Sequence, residues 1–225
     1  MSAGCMRPWR GCRMSEPMVK VCGATRATDL AALGGVDLVG LWCGVRGGHA
    51  NLSPSTFAEL ASGGGPEPVM VTFADDIAWL AKTAGVRWVQ LHGFQPPRVV
   101  RVLKAAGLTV VKALHVRDGV CVEGSLVGAY ERAGVDMFVL DCVGPDGALG
   151  STGRPLAEAV VLEIANYLNR PFLLSGGVTP NNAAEFASVR RHPRFAGVDV
   201  DTGCRGGDGQ IDPGRVSALL AGWRL

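Results

Sequence analysis

The sequence predicts a (β/α)8 barrel. Three observations lead there. Eight short apolar runs rich in Val and Leu recur about every 20 to 35 residues. A segment of helical spacing follows each run, and proline and glycine punctuate those segments at the ends where each belongs.

The units follow one another without a gap. MVKVCG (18–23) leads into TDLAALGG, DLVGLWC (37–43) into PSTFAELASG, PVMVTF (68–73) into DDIAWLAKTAG, and WVQLHG (88–93) into PPRVVRVLKAAG. In the second half VVKALHV (110–116) leads into SLVGAYERAG, MFVLDC (137–142) into PLAEAVVLEIANYLN, FLLSGG (172–177) into PNNAAEFASV, and GVDVDTG (197–203) into DPGRVSALLAGW. Pro54, Pro155, Pro180 and Pro213 stand at first-turn positions, three of them after Ser, Thr or Asp that can cap a helix. Gly35, Gly85, Gly107 and Gly134 stand at helix C-termini. Strands with so few polar residues call for a parallel sheet covered on its outer face. Eight units in roughly 208 residues fit a small closed barrel better than the alternative, a doubly wound sheet.

Composition bounds the function classes. The 225 residues are 48% hydrophobic and 19% charged, which excludes a disordered chain and fits one domain, 18–225. Residues 1–17 hold Arg, Pro and Gly without an apolar core of signal-peptide length. They read as a disordered extension, with Met14 and Met18 as alternative starts. The net charge of +2 gives no reason to expect a nucleic-acid partner. No apolar run reaches the ~18 residues of a membrane span, so no membrane partner is expected either. Seven Cys at scattered spacings without a CxxC pair argue against a zinc ribbon and for reduced thiols in a cytoplasmic protein. Trp42, Trp79 and Trp88 read as core.

In a barrel of this kind chemistry sits at the C-terminal ends of the strands. LLSGGVTPNN and VDVDTGCRGG close the last two strands, where barrels often hold a phosphate on backbone N–H groups. A lone glycine pair usually makes only a tight turn; two such endings on these strands point to phosphate at Gly176, Gly177 and Asp201–Gly203. Cys22 ends the first strand and is a candidate base if Lys20, Lys112 or N–H donors lower its pKa; otherwise it is an inert buried thiol. Asp141 ends an apolar run where a carboxylate has no packing reason to be. Desolvation is expected to raise its pKa and keep it protonated as a general acid. An acid–base pair across the mouth suits an isomerisation, which moves protons without a cofactor. His92 reads equally as a ligand contact or as a bridge between strand-end carbonyls. A zinc site from Cys22, Cys43, Cys142, Cys204 and His92 is disfavoured for want of local ligand spacing.

Together KVCGATR (20–26), VQLHG (89–93), VVKA (110–113), VLD (139–141), GSTG (150–153), LLSGGVTPNN (173–182) and GVDVDTG (197–203) resemble the phosphoribosylanthranilate isomerase family of tryptophan biosynthesis, over about Val19 to Leu220. The resemblance implies a (β/α)8 barrel and an Amadori rearrangement of an aminoaldose to an aminoketose. By position Cys22 takes the place of the general base and Asp141 that of the general acid, with no metal or organic cofactor. It further implies phosphate binding by Gly153, Gly176, Gly177, Asp201, Thr202 and Gly203. Arg46, His49, Gln90, His92 and Lys112 make up the candidate substrate-binding set. The partner implied is a phosphorylated ribosyl-amine; monomer and homodimer both remain open.

Three departures from the family pattern fall on recognition. CGVRGGHANLSP (43–54) has no Arg where the family's carboxylate-binding Arg stands, and Arg46 falls several residues early. Asp201-Thr202-Gly203 replaces a Ser-Ser-Gly-like loop, which sets a carboxylate beside the expected phosphate, with Arg205 as a cation to offset it. Phe94 and Gln95 replace acidic residues after QLHG. Two alternatives therefore stand beside the leading reading: a paralogous isomerase for another N-ribosylated or N-glycosylated amine, and a non-catalytic ligand-binding barrel.

Overall fold

A computed structural model describes residues 16–144, 149 and 155–224 of the chain. Most of the expected extension 1–17 and the whole GSTG segment with Gly153 lie outside the described residues. The strands are β1 (Met18–Cys22), β2 (Leu38–Cys43), β3 (Asn51–Leu52), β4 (Glu67–Thr72), β5 (Trp88–Leu91), β6 (Thr109–Arg117), β7 (Val120–Cys121), β8 (Met137–Cys142), β9 (Phe172–Leu174) and β10 (Phe195–Val200). The helices are α1 (Ala27–Ala31), α2 (Pro54–Ser62), α3 (Ala78–Thr83), α4 (Pro97–Ala105), α5 (Val127–Ala133), α6 (Glu158–Tyr167), α7 (Ala187–Arg191) and α8 (Pro213–Trp223).

Eight of these strands pair in parallel around a ring, in the order β1, β2, β4, β5, β6, β8, β9, β10. The last of them pairs with the first, so the barrel is closed. The short strands β3 and β7 lie outside the ring, against β2 and β6. The expected (β/α)8 architecture is thus the one observed.

Helix ends follow the local chemistry. Ser53 Oγ accepts from the Thr56 N–H at 3.1 Å ahead of Pro54, and Asp212 Oδ1 accepts from the Arg215 N–H at 2.8 Å ahead of Pro213. Gly134 closes α5 in the left-handed conformation, φ 96°. Two of the expected first-turn prolines stand elsewhere. Pro155 precedes α6, which starts only at Glu158, and Pro180 lies in a turn before a 3-10 helix at Ala183–Phe186.

Alternation sorts the strand residues. Val19, Val21, Val39, Leu41, Val110 and Leu114 face the helices in the large outer core, while Met18, Leu38, Val69, Val111, Ala113 and Val139 fill the floor of the barrel. The tenth strand breaks this parity. Ala196 belongs to the floor, yet Val198 belongs to the outer core, and the register shifts between Phe195 and Gly197. A bulge of this kind reverses facing from that point on. It puts Val198 and Val200 on the helix side and turns Asp199 and Asp201 toward the mouth.

Gly197 makes the bulge and the ring closure compatible. Its φ is 148°, and a Cβ there would run into the Met18 backbone on the strand it closes against. Gly197→Ala is therefore expected to destabilise the barrel by about 2–4 kcal/mol. The check is the urea midpoint of the two proteins at matched m-value.

Candidate active site

A cleft opens at the C-terminal ends of the strands. Val45, Val71, Phe73 and Trp42 form its apolar wall, and Cys22, His92, Asp141, Asp199 and Asp201 bring the reactive groups. Cys22 and Asp141 come from β1 and β8, far apart in the chain, and reach one cleft because both occupy inward positions at the ends of their strands.

Cys22 is surrounded by opposing influences. Burial pushes its thiol up to about 12, the Lys20 ammonium works against that, and Asp199 and Asp201 add to it. The Trp42 indole N–H donates to Cys22 Sγ at 3.1 Å and pulls the value down. Lys20 is itself buried and bonded to both oxygens of Asp199, at 2.7 and 2.8 Å. Burial disfavours its charge, but Asp199 and Cys22 together outweigh that and hold its pKa above the ordinary range. The glycine of the neighbouring strand makes the arrangement fit: a Cβ on Gly40 would lie 2.5 Å from Cys22 Sγ and 3.1 Å from Lys20 Nζ.

Asp141 departs from expectation. Desolvation does raise its pKa, but His92, then His115 and the Cys142 N–H, outweigh burial and hold the carboxyl below its ordinary value. His92 Nε2 lies 3.3 Å from Oδ2, and the Cys142 N–H donates to Oδ1 at 3.0 Å. Oδ2 is buried with no hydrogen-bond partner among the described residues, so the His92 contact is a close approach and not an aligned hydrogen bond.

Several sequence candidates take other places. Gln90 is fully buried below the cleft and donates its amide N–H to His92 Nδ1 at 2.9 Å, which sets the His92 proton on Nε2, toward Asp141. Lys112 occupies the helix-facing parity of β6, opposite to Val111 and Ala113, and so cannot reach Cys22 or the cleft. Its ammonium bonds to Gly93 O, Ala113 O and Glu123, over the Tyr130 ring. Arg46 and His49 are exposed on the loop after β2 and do not line the cleft; the His49 ring stands edge-on to Trp42 at 4.8 Å. Thr202 is exposed and Gly203 buried. Gly176 and Gly177 adopt positive φ, 76° and 66°, and neither N–H is spent on a backbone carbonyl of the described residues. Asp201 is bonded by Arg205 Nε at 2.6 Å, while the other arms of that guanidinium reach Gly23 O and Gly209 O at 2.9 Å each. Among the described residues no three His, Cys, Asp or Glu converge to hold a metal ion.

Sequence reasoning missed three residues. Trp42 is not simple core: it lines the cleft and touches the thiol. Trp79 is 64% exposed, against expectation, whereas Trp42 is buried and Trp88 packs half-buried against the floor. Asp199 is hidden by the bulge, which reverses the facing of its strand. Glu123 arrives from the β7 turn and accepts from the His115 N–H at 2.9 Å and from His115 Nδ1 at 2.7 Å, while lying 3.3 Å from Lys112. Its place under the strand ends has no local sequence signal.

Burial would raise the Glu123 pKa, but His115 and Lys112 outweigh it and hold the carboxyl below its ordinary value. The stabilisation is therefore complete above the unfolded carboxyl's titration and is lost as pH falls through the folded one. Glu123→Gln should cost about 3–5 kcal/mol at neutral pH, since it leaves buried partners uncompensated. Denaturant midpoints of the two proteins should converge as the pH is lowered below about 4.

Comparison with known proteins adds the family context. Residues 19–221 match the family described as N-(5'phosphoribosyl)anthranilate (PRA) isomerase. An N-(5'-phosphoribosyl)anthranilate isomerase of Paracoccus denitrificans is 34% identical over 212 residues, 90% of this chain and 95% of that protein. The solved phosphoribosyl anthranilate isomerase of Thermococcus kodakaraensis superposes with a TM-score of 0.71 at 25% identity, over 91% of this chain and 97% of that one. A further solved structure, of phosphoribosyl anthranilate isomerase in complex with reduced 1-(o-carboxyphenylamino)-1-deoxyribulose 5-phosphate, shares the fold. Its TM-score is 0.69 at 22% identity, over 92% of this chain and 97% of that one.

Proposed function

The chain belongs to the N-(5'-phosphoribosyl)anthranilate isomerase family, and from that premise we propose that it converts phosphoribosylanthranilate to the corresponding aminoketose, with Asp141 as acid and Cys22 as base. The observation that carries this reading is the facing of the two groups into one cleft, with Asp141 Oδ2 free of any hydrogen-bond partner among the described residues.

The proton accounting runs through these two groups. The ring oxygen of the ribosyl amine takes a proton, the C1–O bond breaks with its pair on oxygen, and the nitrogen lone pair forms a protonated Schiff base. Cys22 then removes the C2 proton. The C–H pair becomes the C1–C2 double bond, and the iminium π pair returns to nitrogen as an enolamine, which tautomerises to the aminoketose. His92 holds Asp141 ionised, so the pair takes up the proton for the ring oxygen from solvent; once that proton is delivered, the Asp141 carboxylate accepts the Cys22 thiol proton and leaves the thiolate for the C2 step. The iminium is a cation beside Cys22, which favours the thiolate when the thiolate is needed.

The N–H groups of Gly176 and Gly177, with those of Thr202 and Gly203, suit the phosphate. Arg205 offsets the Asp201 carboxylate that stands beside them. A second reading, an isomerase for another N-ribosylated amine, is favoured by one observation: Arg46 stays outside the cleft lining, so an aryl carboxylate meets it only at the exposed loop.

Cys22→Ser and Asp141→Asn should each lower kcat by about 10²–10⁴-fold while the barrel stays folded. The measurement is loss of anthranilate fluorescence on freshly generated phosphoribosylanthranilate. Unchanged turnover in either variant would remove that residue from the chemistry, and no turnover by the folded wild type would move the assignment to the second reading. Arg205→Ala exposes Asp201 and should raise KM about tenfold with little change in kcat, seen in the same assay.

A further inference from the structure

We propose that Trp42 is a positioning residue for Cys22, whose indole N–H holds the thiolate in the cleft during proton abstraction. The inference deepens the isomerase reading and rests on it for the catalytic step. The structural argument starts from the strand register. Cys22 pairs with Gly40 across β1 and β2, and Trp42, two residues further on, faces the same interior. Because Gly40 has no side chain, nothing stands between the thiol and the indole, and Nε1 reaches Sγ at 3.1 Å.

Few other groups can serve an anion at this position. Three carboxylates line the cleft: Asp199 and Asp201 on the tenth strand and the loop after it, and Asp141 across the mouth beside His92. Lys20, on the same strand as Cys22, favours an anion there more than the indole does, but both oxygens of Asp199 are its close partners. His49 stands edge-on to the indole, its Nε2 3.8 Å from Asp201. The indole N–H is a donor without acceptor capacity, so it cannot take the proton itself. A neutral thiol accepts its hydrogen bond weakly and a thiolate strongly, so the contact gains strength as the charge appears.

The indole is also held in place. It is buried, the His49 ring stands edge-on to it at 4.8 Å, and the loop backbone at Gly48 lies so close that a Cβ there would sit 3.1 Å from two indole carbons. A donor fixed before the reaction costs no reorganisation when charge develops.

Trp42→Phe keeps the apolar ring and deletes the donor. The test is site-resolved alkylation of Cys22 by iodoacetamide across a pH series, read by peptide mass so that the other cysteines do not contribute. In Trp42→Phe the Cys22 rate at fixed mildly alkaline pH should fall about tenfold, with the whole profile displaced to higher pH. Isomerase kcat should fall by a similar factor, with KM within about twofold of wild type. An alkylation profile equal to that of wild type would overturn the proposal. Slowed alkylation in a protein that turns over no phosphoribosylanthranilate even as wild type would sink the isomerase reading and leave the indole–thiolate pair standing. Should Trp42→Phe fail to fold, the wild-type indole fluorescence carries the test. It should show a pH step that Cys22→Ala lacks, and identical titrations of the two proteins would overturn the proposal.

Discussion

Lys20 and Asp199 meet where the first and last strands of the barrel join, and the mouth stands on that ion pair. Both side chains are almost wholly buried, so each alone would carry a large desolvation penalty, and only the bidentate contact at 2.7 and 2.8 Å compensates it. The pair ties ring closure to chemistry. Asp199 can face inward only because the bulge at Gly197 reverses the parity of its strand, and Lys20 can extend beneath Cys22 only because Gly40 has no side chain. Satisfied in this way, Asp199 adds less repulsion to a charge on Cys22 than a bare carboxylate would.

A second buried polar group supports the opposite wall. Glu123 joins the His115 backbone, the His115 ring and Lys112, and the His115 ring in turn packs edge-on against His92 at 5.7 Å. Burial, with His92 and Lys112, lowers the His115 pKa more than Glu123 raises it, so the ring is neutral at pH 7 and donates its Nδ1–H to the carboxylate in a hydrogen bond. His92 is thus steadied from three sides, by Gln90 at Nδ1, by Phe73 stacked at 5.8 Å and by His115, and its remaining nitrogen is left to Asp141. Gln90, His115 and Glu123 thus help to set the position of the acid without lining the cleft.

The barrel was legible in the sequence because period and punctuation agree unit after unit, and Cys22 and Asp141 were legible because each interrupts an apolar strand at its C-terminal end. Facing was much less legible. Lys112 sits two residues beyond Val110 and shares its outward parity, so a strand-end lysine that reads as a cleft cation serves the helix layer instead. Asp199 lies beyond a bulge, and a bulge has no signature in VDVD that would tell its two aspartates from surface residues. Trp42 looks like core by composition and is buried as core is; only its indole N–H, directed at a sulfur on the next strand, gives it another role. The Asp141 pKa was misjudged for a related reason: burial is visible from an apolar run, whereas the histidine that outweighs it comes from a different strand.

The charge pattern of the cleft bears on the order of the proposed chemistry. Three carboxylates at the mouth make it hostile to a standing thiolate and hospitable to a cation. At rest Cys22 is accordingly a thiol and Asp141 a carboxylate, the forms opposite to those that a simple acid–base pair requires. Ring opening resolves that mismatch, because it creates a positive charge on the substrate between the two groups. Proton transfer through the His92–Asp141 pair comes first on this account. The iminium it produces then lowers the cost of ionising Cys22, and the indole N–H already directed at the sulfur receives the charge as it forms.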